Sequence, residues 1–459
     1  MERNAIVWFR RDLRLSDLPT LLAAADAAER SLALFVLDDA LLAPSGAVRR
    51  TFLFRCLRAL DAELGGRLMV VRGEPDKIVP ALAAEIDAQT VHVSADFGPY
   101  GARRDAAVAE ALGSTALVAT GSPYAVTPGR IRKRDGTPYR VFTPFRKAWI
   151  EHGWRAPART DAATVTWLDP SGLSSRLPVP PDDDQSAAAL PPAGESAALS
   201  RWHEFRDSDL RSYRDERDRP DIDSTSHMSV YLKYGCVHPR TLLHDLRGDG
   251  DDATFRSELA WREFYADVLH HHPETARRNY DRRFDAIDYT PWPEANEPFT
   301  AWKSGCTGFP IVDAGMRQLL AEGWMHNRVR MITASFLTKD LHIPWRWGAR
   351  HFMRHLADGD LASNQHGWQW TAGTGTDAAP YFRVFNPTTQ GQKFDPHGDY
   401  VRRWVPELRG ISGKAVHTLP GGPPSGYPKP IVDHQHERRV ALEHYAAITN
   451  RGGSNTRSS

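Results

Sequence analysis

Short apolar runs alternate with amphipathic stretches through the first third of the chain. Ile6–Phe9, Leu32–Leu37, Leu68–Val71 and Val91–Ser94 read as buried strands, with Leu18–Glu29, Val48–Leu64, Ile78–Ile86 and Ala102–Leu112 as the helices between them. Strands alternating with helices predict a Rossmann-like parallel sheet covered on both faces. No GxGxxG follows the first strand, so the usual dinucleotide fingerprint is missing. From Trp167 the composition shifts to Pro, Ser, Ala and Asp (SGLSSRLPVPPDDDQSAAALPPAGES), too poor in apolar residues to fold alone. From about Arg201 strand signals fade, and Met316, Leu319 and Leu320 recur at helical period within Ile311–Glu322. The predicted organisation is an α/β domain over 1–130, a long interdomain linker over 131–200 and an all-α helical domain over 201–459, without internal repeats.

One run departs from the core-and-surface pattern. Trp324 to Asn386 packs aromatics, amides, paired acids and arginines with little aliphatic core between them. On a helix, Asn327, Arg330 and Met331 share one stripe, and Asp360, Asn364 and Trp368 another. A stripe of acid, amide and indole is a poor core face, because buried polar groups need partners. A large planar cofactor with hydrogen-bonding edges would supply them. Glu258, Trp261, Arg262 and Tyr265 form a further stripe at i, i+3, i+4 and i+7. By its residues alone it is equally an amphipathic surface helix with an incidental Glu–Arg pair.

Composition narrows the classes. At 459 residues, two domains are expected. A formal net charge of +1 means that any nucleic-acid surface is a local patch. The three cysteines, Cys56, Cys236 and Cys306, are widely spaced and form no CxxC, which argues for a reducing cytoplasm and against a disulfide framework or a zinc site. The chain runs straight into NAIVWF without a signal-peptide pattern and ends in a short polar tail. No apolar stretch approaches 18 residues, so a cytoplasmic protein without a membrane span is expected.

Five motifs in order resemble the photolyase/cryptochrome family over nearly the whole chain. They are Trp8-Phe9-Arg10-Arg11-Asp12-Leu13-Arg14-Leu15, TSHMSVYLKYGCVHPR (Thr225–Arg240), SELAWREFY (Ser257–Tyr265), GFPIVDAGMRQL (Gly308–Leu319) and the Trp324–Asn386 run. The chain looks most like a bacterial class I cyclobutane pyrimidine dimer photolyase. The resemblance implies a helical FAD-binding domain and a lesion pocket. In that pocket Glu258 hydrogen-bonds the flipped pyrimidine edge, Trp261 and Trp370 are aromatic walls, and Asn327 and Met331 complete the site. A base taken out of its stack needs such walls and hydrogen bonds to replace what it loses. The (6-4) photolyases place histidines at the positions of Asn327 and Met331, because moving a group between bases needs proton transfer. An amide and a thioether therefore favour cyclobutane dimers.

For FAD the resemblance implies Tyr213 and the loop Thr225, Ser226, His227, Met228 and Ser229 at the diphosphate. Read alone, that loop is a plain helix cap. His227 stands where arginine is common in relatives. Arg262, Asp358, Gly359 and Asp360 join the cofactor set. Asp358 is expected to pair with Arg330, and Asp360 to accept from the flavin ring. Asn364 matches the position beside flavin N5, where a neutral amide avoids repulsion of the anionic reduced ring. Trp368, Trp345 and Trp292 match an electron relay, although any three of fourteen tryptophans are by default core. Arg217, Arg328, Arg330, Arg383 and Gln390, with Glu258, Trp261 and Asn327, match positions facing the damaged strand.

The segment ADFGPYGARRD (Ala95–Asp105) resembles the site of a deazaflavin antenna, with Asp96 at a matching position and a reduced folate as the alternative chromophore. No metal is implied. The expected function is light-driven repair of pyrimidine dimers in damaged DNA by a monomer associated with the nucleoid. The alternatives are a sensory cryptochrome, which Asn364 and the pocket residues disfavour, and a flavin-dependent DNA-binding module without catalysis.

Overall fold

The computed structural model describes residues 3–173, 175–377 and 383–454, with side chains through Ile448. Residue 174 of the Pro/Ser-rich segment, 378–382 of the Trp324–Asn386 run, and 455–459 of the polar tail lie outside the described residues. Contact density divides the chain into two units. The first is Met1–Arg211, Ser226–Pro273 and Ala357–Gly359, and the second is Ser212–Thr225, Glu274–Leu356 and Asp360–Ser459.

The first unit holds a five-stranded parallel sheet in the order β3-β2-β1-β4-β5. The strands are β1 (Asn4–Phe9), β2 (Arg30–Leu37), β3 (Leu68–Arg72), β4 (Ala88–Val93) and β5 (Ala116–Ala119). The main helices between them are α1 (Pro19–Ala27), α2 (Ala47–Glu63), α3 (Pro75–Glu85) and α4 (Pro99–Ala111), three of them opening on proline, which is pre-set for a first helical turn. Ile6, Trp8, Leu32, Leu34, Val36, Met69 and Val71 pack in one buried cluster with Val79, Leu82 and Val108 of the flanking helices. The alternate residues Ala5, Val7, Phe9, Ala33 and Phe35 are also buried, as a sheet covered on both faces requires. The four sequence-predicted strands are present, and β5 is additional. It is four residues long and largely open, so it carries little apolar signal.

The Pro/Ser/Asp-rich segment is docked on this sheet. Trp167 bridges Ser31, Leu177 bridges Val70, and Asp182 and Asp183 pair with Arg55, Arg58 and Arg50 of α2. Ahead of it lies α5 (Phe142–His152). The first unit also holds α6 (Glu195–Ser208), α7 (Met228–Tyr234) and α8 (Asp251–His271), with the short helix Pro239–Asp245 between the last two.

The TSHMSVYLKYG and WFRRDLRL motifs meet at the end of α7. Leu13 N–H donates to Tyr234 O at 3.2 Å, and Arg14 Nη1 donates to Gly235 O at 3.1 Å. Gly235 sits at φ +70°, and a Cβ there would lie 2.0 Å from Arg11 O, so only glycine fits.

Among its described residues the second unit is helical, with no strand. The helices that matter for the site are α9 (Pro310–Glu322), α10 (Asn327–Ser335), α11 (Trp345–His355) and α12 (Leu361–Ala372). Trp302, Met316, Val329, Trp345, Phe352 and Trp368 belong to its main buried cluster. No helix among the described residues is long and apolar enough to cross a membrane.

Asp17 anchors the first unit electrostatically. It is buried in the left-handed region at φ 47° and accepts from Ala158 N–H at 2.8 Å and Arg240 Nη2 at 2.6 Å. Burial opposes its ionised form, but His238, Arg240 and the Ala158 N–H outweigh it and lower its pKa from 3.8 to about 2. A depressed acid stabilises the fold fully above its unfolded pKa and loses that contribution as pH falls through the folded value. Asp17→Asn, which tolerates the same backbone, is expected to cost roughly 2 kcal/mol at pH 7. In urea unfolding series, the gap from wild type should close between about pH 4 and pH 2. A gap independent of pH would contradict the assignment.

Candidate functional site

The helix α8 divides sharply by burial. Leu259, Ala260, Glu263, Phe264, Ala266 and Asp267 face inward, whereas Glu258, Trp261, Arg262 and Tyr265 are half-buried on one stripe. Two acids on the inner side lock its rotation. Glu263 accepts from the N–H groups of Ala125 and Val126 and from Trp149 Nε1 at 2.6 Å. Burial nevertheless pushes its pKa up to about 7. Asp267 accepts from Gly129 N–H at 2.6 Å, and its pKa too is raised by burial. With the inner side clamped, the outer stripe is fixed in direction.

On that stripe Trp261 lies flat against Phe142, with ring centroids 3.6 Å apart and planes 9° from parallel. Phe264 meets the indole edge-on at 5.8 Å, and Tyr265 lies at 5.3 Å. Arg262 reaches back into the unit. Its guanidinium donates to Pro123 O at 3.0 Å and Leu232 O at 3.2 Å and lies 4.6 Å from the Tyr124 ring centroid. Those contacts join α8 to the residues around α7.

The remaining cofactor candidates of the first unit are Ser226–Ser229, Asp358 and Gly359. Ser226 Oγ accepts from Met228 N–H at 3.3 Å, and His227 adopts φ 55°, turning the chain into α7. Ser229 Oγ donates to Asp358 Oδ2 at 2.6 Å, which brings together two residues far apart in sequence. Asp358 and Gly359 are buried.

In the second unit Tyr213 is buried, with the Arg217 guanidinium 5.6 Å from its ring centroid. Thr225 is half-buried. Asn327 is exposed, and Arg328, Arg330 and Met331 are half-buried along α10. Arg328 pairs with Asp218 at 2.6 Å and lies over the Phe394 ring at 4.5 Å, while Arg330 Nε donates to Met325 O at 2.7 Å. Arg383 is exposed, and its carbonyl accepts from the buried Lys339 at 2.9 Å. Gln390 is half-buried on the helix Pro387–Phe394.

Asp360 caps α12 by accepting from Ser363 N–H at 3.0 Å, a structural duty the sequence stripe does not reveal. Asn364 donates its amide N–H to Ala349 O at 3.1 Å and to Gln365 Oε1 at 2.8 Å, so its orientation is fixed. Trp370 is half-buried near the end of the same helix.

The relay candidates separate. Trp368 is buried and contacts Trp302 at 6.0 Å; from there ring contacts run through Phe299 (5.9 Å) and Trp347 (5.4 Å) to Trp292 (5.9 Å), which is 62 % exposed. Trp345 takes part in none of these contacts and is buried with Nε1 donating to Asn279 Oδ1 at 2.7 Å. Trp302 and Trp347, which the sequence reading did not single out, provide the ring contacts between the two ends. In HIPWRW, Trp345 and Trp347 are two apart and face opposite sides of a helix, so the motif alone does not say which one joins a path.

The donors fit FAD. Ser224 Oγ, beside Thr225, and Trp368 Nε1, on the Asp360–Asn364 stripe, are buried without hydrogen-bond partners, and buried donors of this kind call for an acceptor. Both lie where the sequence places cofactor-binding residues. In the α/β part, Asp96 accepts from Gly98 N–H at 3.1 Å and approaches Arg104 Nη2 at 3.4 Å. Burial disfavours its charge, but Arg11, Arg104 and Arg10 overcome that and hold its pKa down.

Comparisons with known proteins point to one family. Residues 255–447 match the model of the FAD binding domain of DNA photolyase, and residues 5–163 match the DNA photolyase model. A deoxyribodipyrimidine photo-lyase of Streptomyces griseus is 43 % identical over 94 % of this chain and 96 % of its own length. A class III photolyase structure from Agrobacterium tumefaciens superposes with TM-score 0.89 at 38 % identity, covering 98 % of each chain. An archaeal photolyase from Sulfolobus tokodaii, solved with two FAD molecules, gives TM-score 0.85 at 30 % identity over 97 % of this chain and 100 % of that one.

The Trp345–Asn279 bond gives a direct test of this packing. Asn279→Leu leaves a buried indole N–H without an acceptor and is expected to lower unfolding free energy by roughly 1–3 kcal/mol in denaturant titrations. An unchanged midpoint would show that the indole finds another partner.

Proposed function

The chain belongs to the DNA photolyase family, and from that premise we propose that it repairs cyclobutane pyrimidine dimers in DNA under blue light, acting as a monomer. The observation that carries this reading is the outer stripe of α8, where Glu258 stands one turn from an indole already stacked on its back face. Glu258 would hydrogen-bond the edge of a flipped pyrimidine, and Trp261 and Trp370 would replace its lost stacking. Asn327 and Met331 would line the pocket without offering a titrating group, which suits ring splitting and not group migration between bases. Arg217, Arg328, Arg330 and Arg383 would neutralise phosphates, with Gln390 beside them. Each phosphate contact would then steepen the loss of affinity with salt by roughly 0.9 log unit per tenfold rise.

The family's FAD-binding domain is present in this chain. When bound and reduced, FAD supplies the electron that light drives into the dimer. The protein's share is to hold and tune it. The Thr225–Ser229 loop would offer hydroxyls and backbone N–H groups to the diphosphate, with Tyr213, Arg262, Arg330, Asp358, Gly359 and Asp360 completing the cofactor set. Trp368, Trp345 and Trp292 would carry electrons inward from the surface; the ring contacts that join Trp368 to Trp292 run through Trp302, Phe299 and Trp347 and leave Trp345 aside. A deazaflavin is the antenna this reading favours in the α/β part, on the ADFGPYGARRD segment. Asp96 would there shape the loop and balance the arginines around it.

Two outcomes are expected. Purified protein with photoreduced FAD, mixed with an oligonucleotide holding one thymine dimer, should restore base absorbance in blue light and not in the dark, and Glu258→Ala should slow this about tenfold, the worth of one buried hydrogen bond. Lesion binding without any product in light would overturn the enzyme reading in favour of a sensor or a binding module. Asn364→Asp should lower the reduction potential of bound FAD in spectroelectrochemical titration, because an added carboxylate repels the anionic reduced ring. An unchanged potential would remove Asn364 from the flavin's surroundings.

A further inference from the structure

Three ties join α5 to α8 along their length. Arg146 Nη1 donates to Ser257 Oγ at 2.6 Å, Trp149 Nε1 donates to Glu263 at 2.6 Å, and Phe142 stacks on Trp261. The first two act on either side of Glu258 and Trp261 and fix the separation and rotation of the helices. The third touches the pocket residue itself. Phe142 is 8 % exposed and opens α5 from an uncapped start at Val141, so its ring is held by packing against Trp261 and Phe264.

We propose that Phe142 is a positioning residue for the lesion pocket, holding the plane of the Trp261 indole so that its other face can receive a flipped base. An indole has two side-chain torsions, and a half-buried one has room to turn about both. With Phe142 parallel to it at 3.6 Å, any rotation breaks the tightest ring contact of the α5–α8 pair. Phe264, edge-on to both rings, closes the third side. Stacking a base on a surface already planar and fixed costs less ordering than stacking on one that must first be immobilised. The role is specific to damaged DNA, because phosphate contacts do not pass through Trp261. It rests on the reading of Trp261 as a pocket wall.

The experiment measures dark binding of FAD-loaded protein to an oligonucleotide with one thymine dimer and to the same oligonucleotide undamaged. Phe142→Leu should reduce the affinity ratio between the two by roughly threefold to tenfold, the worth of a stacked aromatic pair. Affinity for undamaged DNA and FAD absorbance should stay at wild-type values, and Phe142→Tyr should keep the wild-type ratio. A wild-type ratio in Phe142→Leu overturns the proposal. If that variant loses FAD, Phe142→Met, which keeps the volume without the ring, is measured in its place; loss of FAD there as well makes Phe142 a fold residue and overturns the positioning role. Trp261→Ala separates the two layers. An unchanged ratio in Trp261→Ala defeats the pocket reading itself, whereas a lost ratio there with an intact one in Phe142→Leu defeats only the role given to Phe142.

Discussion

Two carboxylates buried on one side of one helix set the direction of everything on the other side. Burying Glu263 and Asp267 is costly unless their oxygens find donors. Both Glu263 oxygens and one Asp267 oxygen find them, in backbone N–H groups of the 125–129 loop and the indole of Trp149. Backbone donors cannot swing to follow a turning helix, so α8 has one rotational setting. In that setting Glu258, Trp261 and Tyr265 share the outer stripe, while the Arg262 guanidinium reaches back to Pro123 O and Leu232 O. The raised pKa of Glu263 measures what its burial costs. The return is a rigid face that joins an acid to an aromatic plane.

The same economy recurs along the second unit. Asn364 is neutral and held at both amide N–H positions, so it can stand beside a reduced ring without adding charge or moving. Asp360 uses one oxygen to cap α12 by accepting from Ser363 N–H. Trp345 and Trp368 are both buried, yet one indole N–H is paired and the other is not.

Much of this was legible in the chain, for physical reasons. Four of the five strands are continuous apolar runs, as strands covered on both faces must be, and β5 escaped because it is short and open. The helical spacing of the α8 stripe was legible, but its residues alone fitted a surface helix equally well, and only the family resemblance read it as a pocket face. Contacts between positions distant in sequence were not legible. Cys56 and Cys236 look unrelated in sequence, but their Sγ atoms lie 3.5 Å apart, both buried as free thiols. Ser229 finds Asp358 across more than a hundred residues. Arg262 reads as a ligand-facing cation, yet holds the carbonyls of Pro123 and Leu232. Phe142 sits in a stretch that reads as linker, since one aromatic at the start of a short helix gives no sign of the ring it will meet. The Thr225–Ser229 loop reads locally as a helix cap, and the contact of the same motif's far end, at Tyr234 and Gly235, with the WFRRDLRL segment is visible in neither stretch alone.

The central claim is that the outer face of α8 receives a flipped pyrimidine dimer. The most direct test is a crystal structure of the FAD-loaded protein with a duplex carrying one thymine dimer. The account predicts the dimer outside the duplex, one ring stacked on Trp261 with Phe142 still flat behind it, and Glu258 within hydrogen-bond reach of the pyrimidine edge. A dimer left in the helix, or bound with Trp261 and Glu258 untouched, would contradict it.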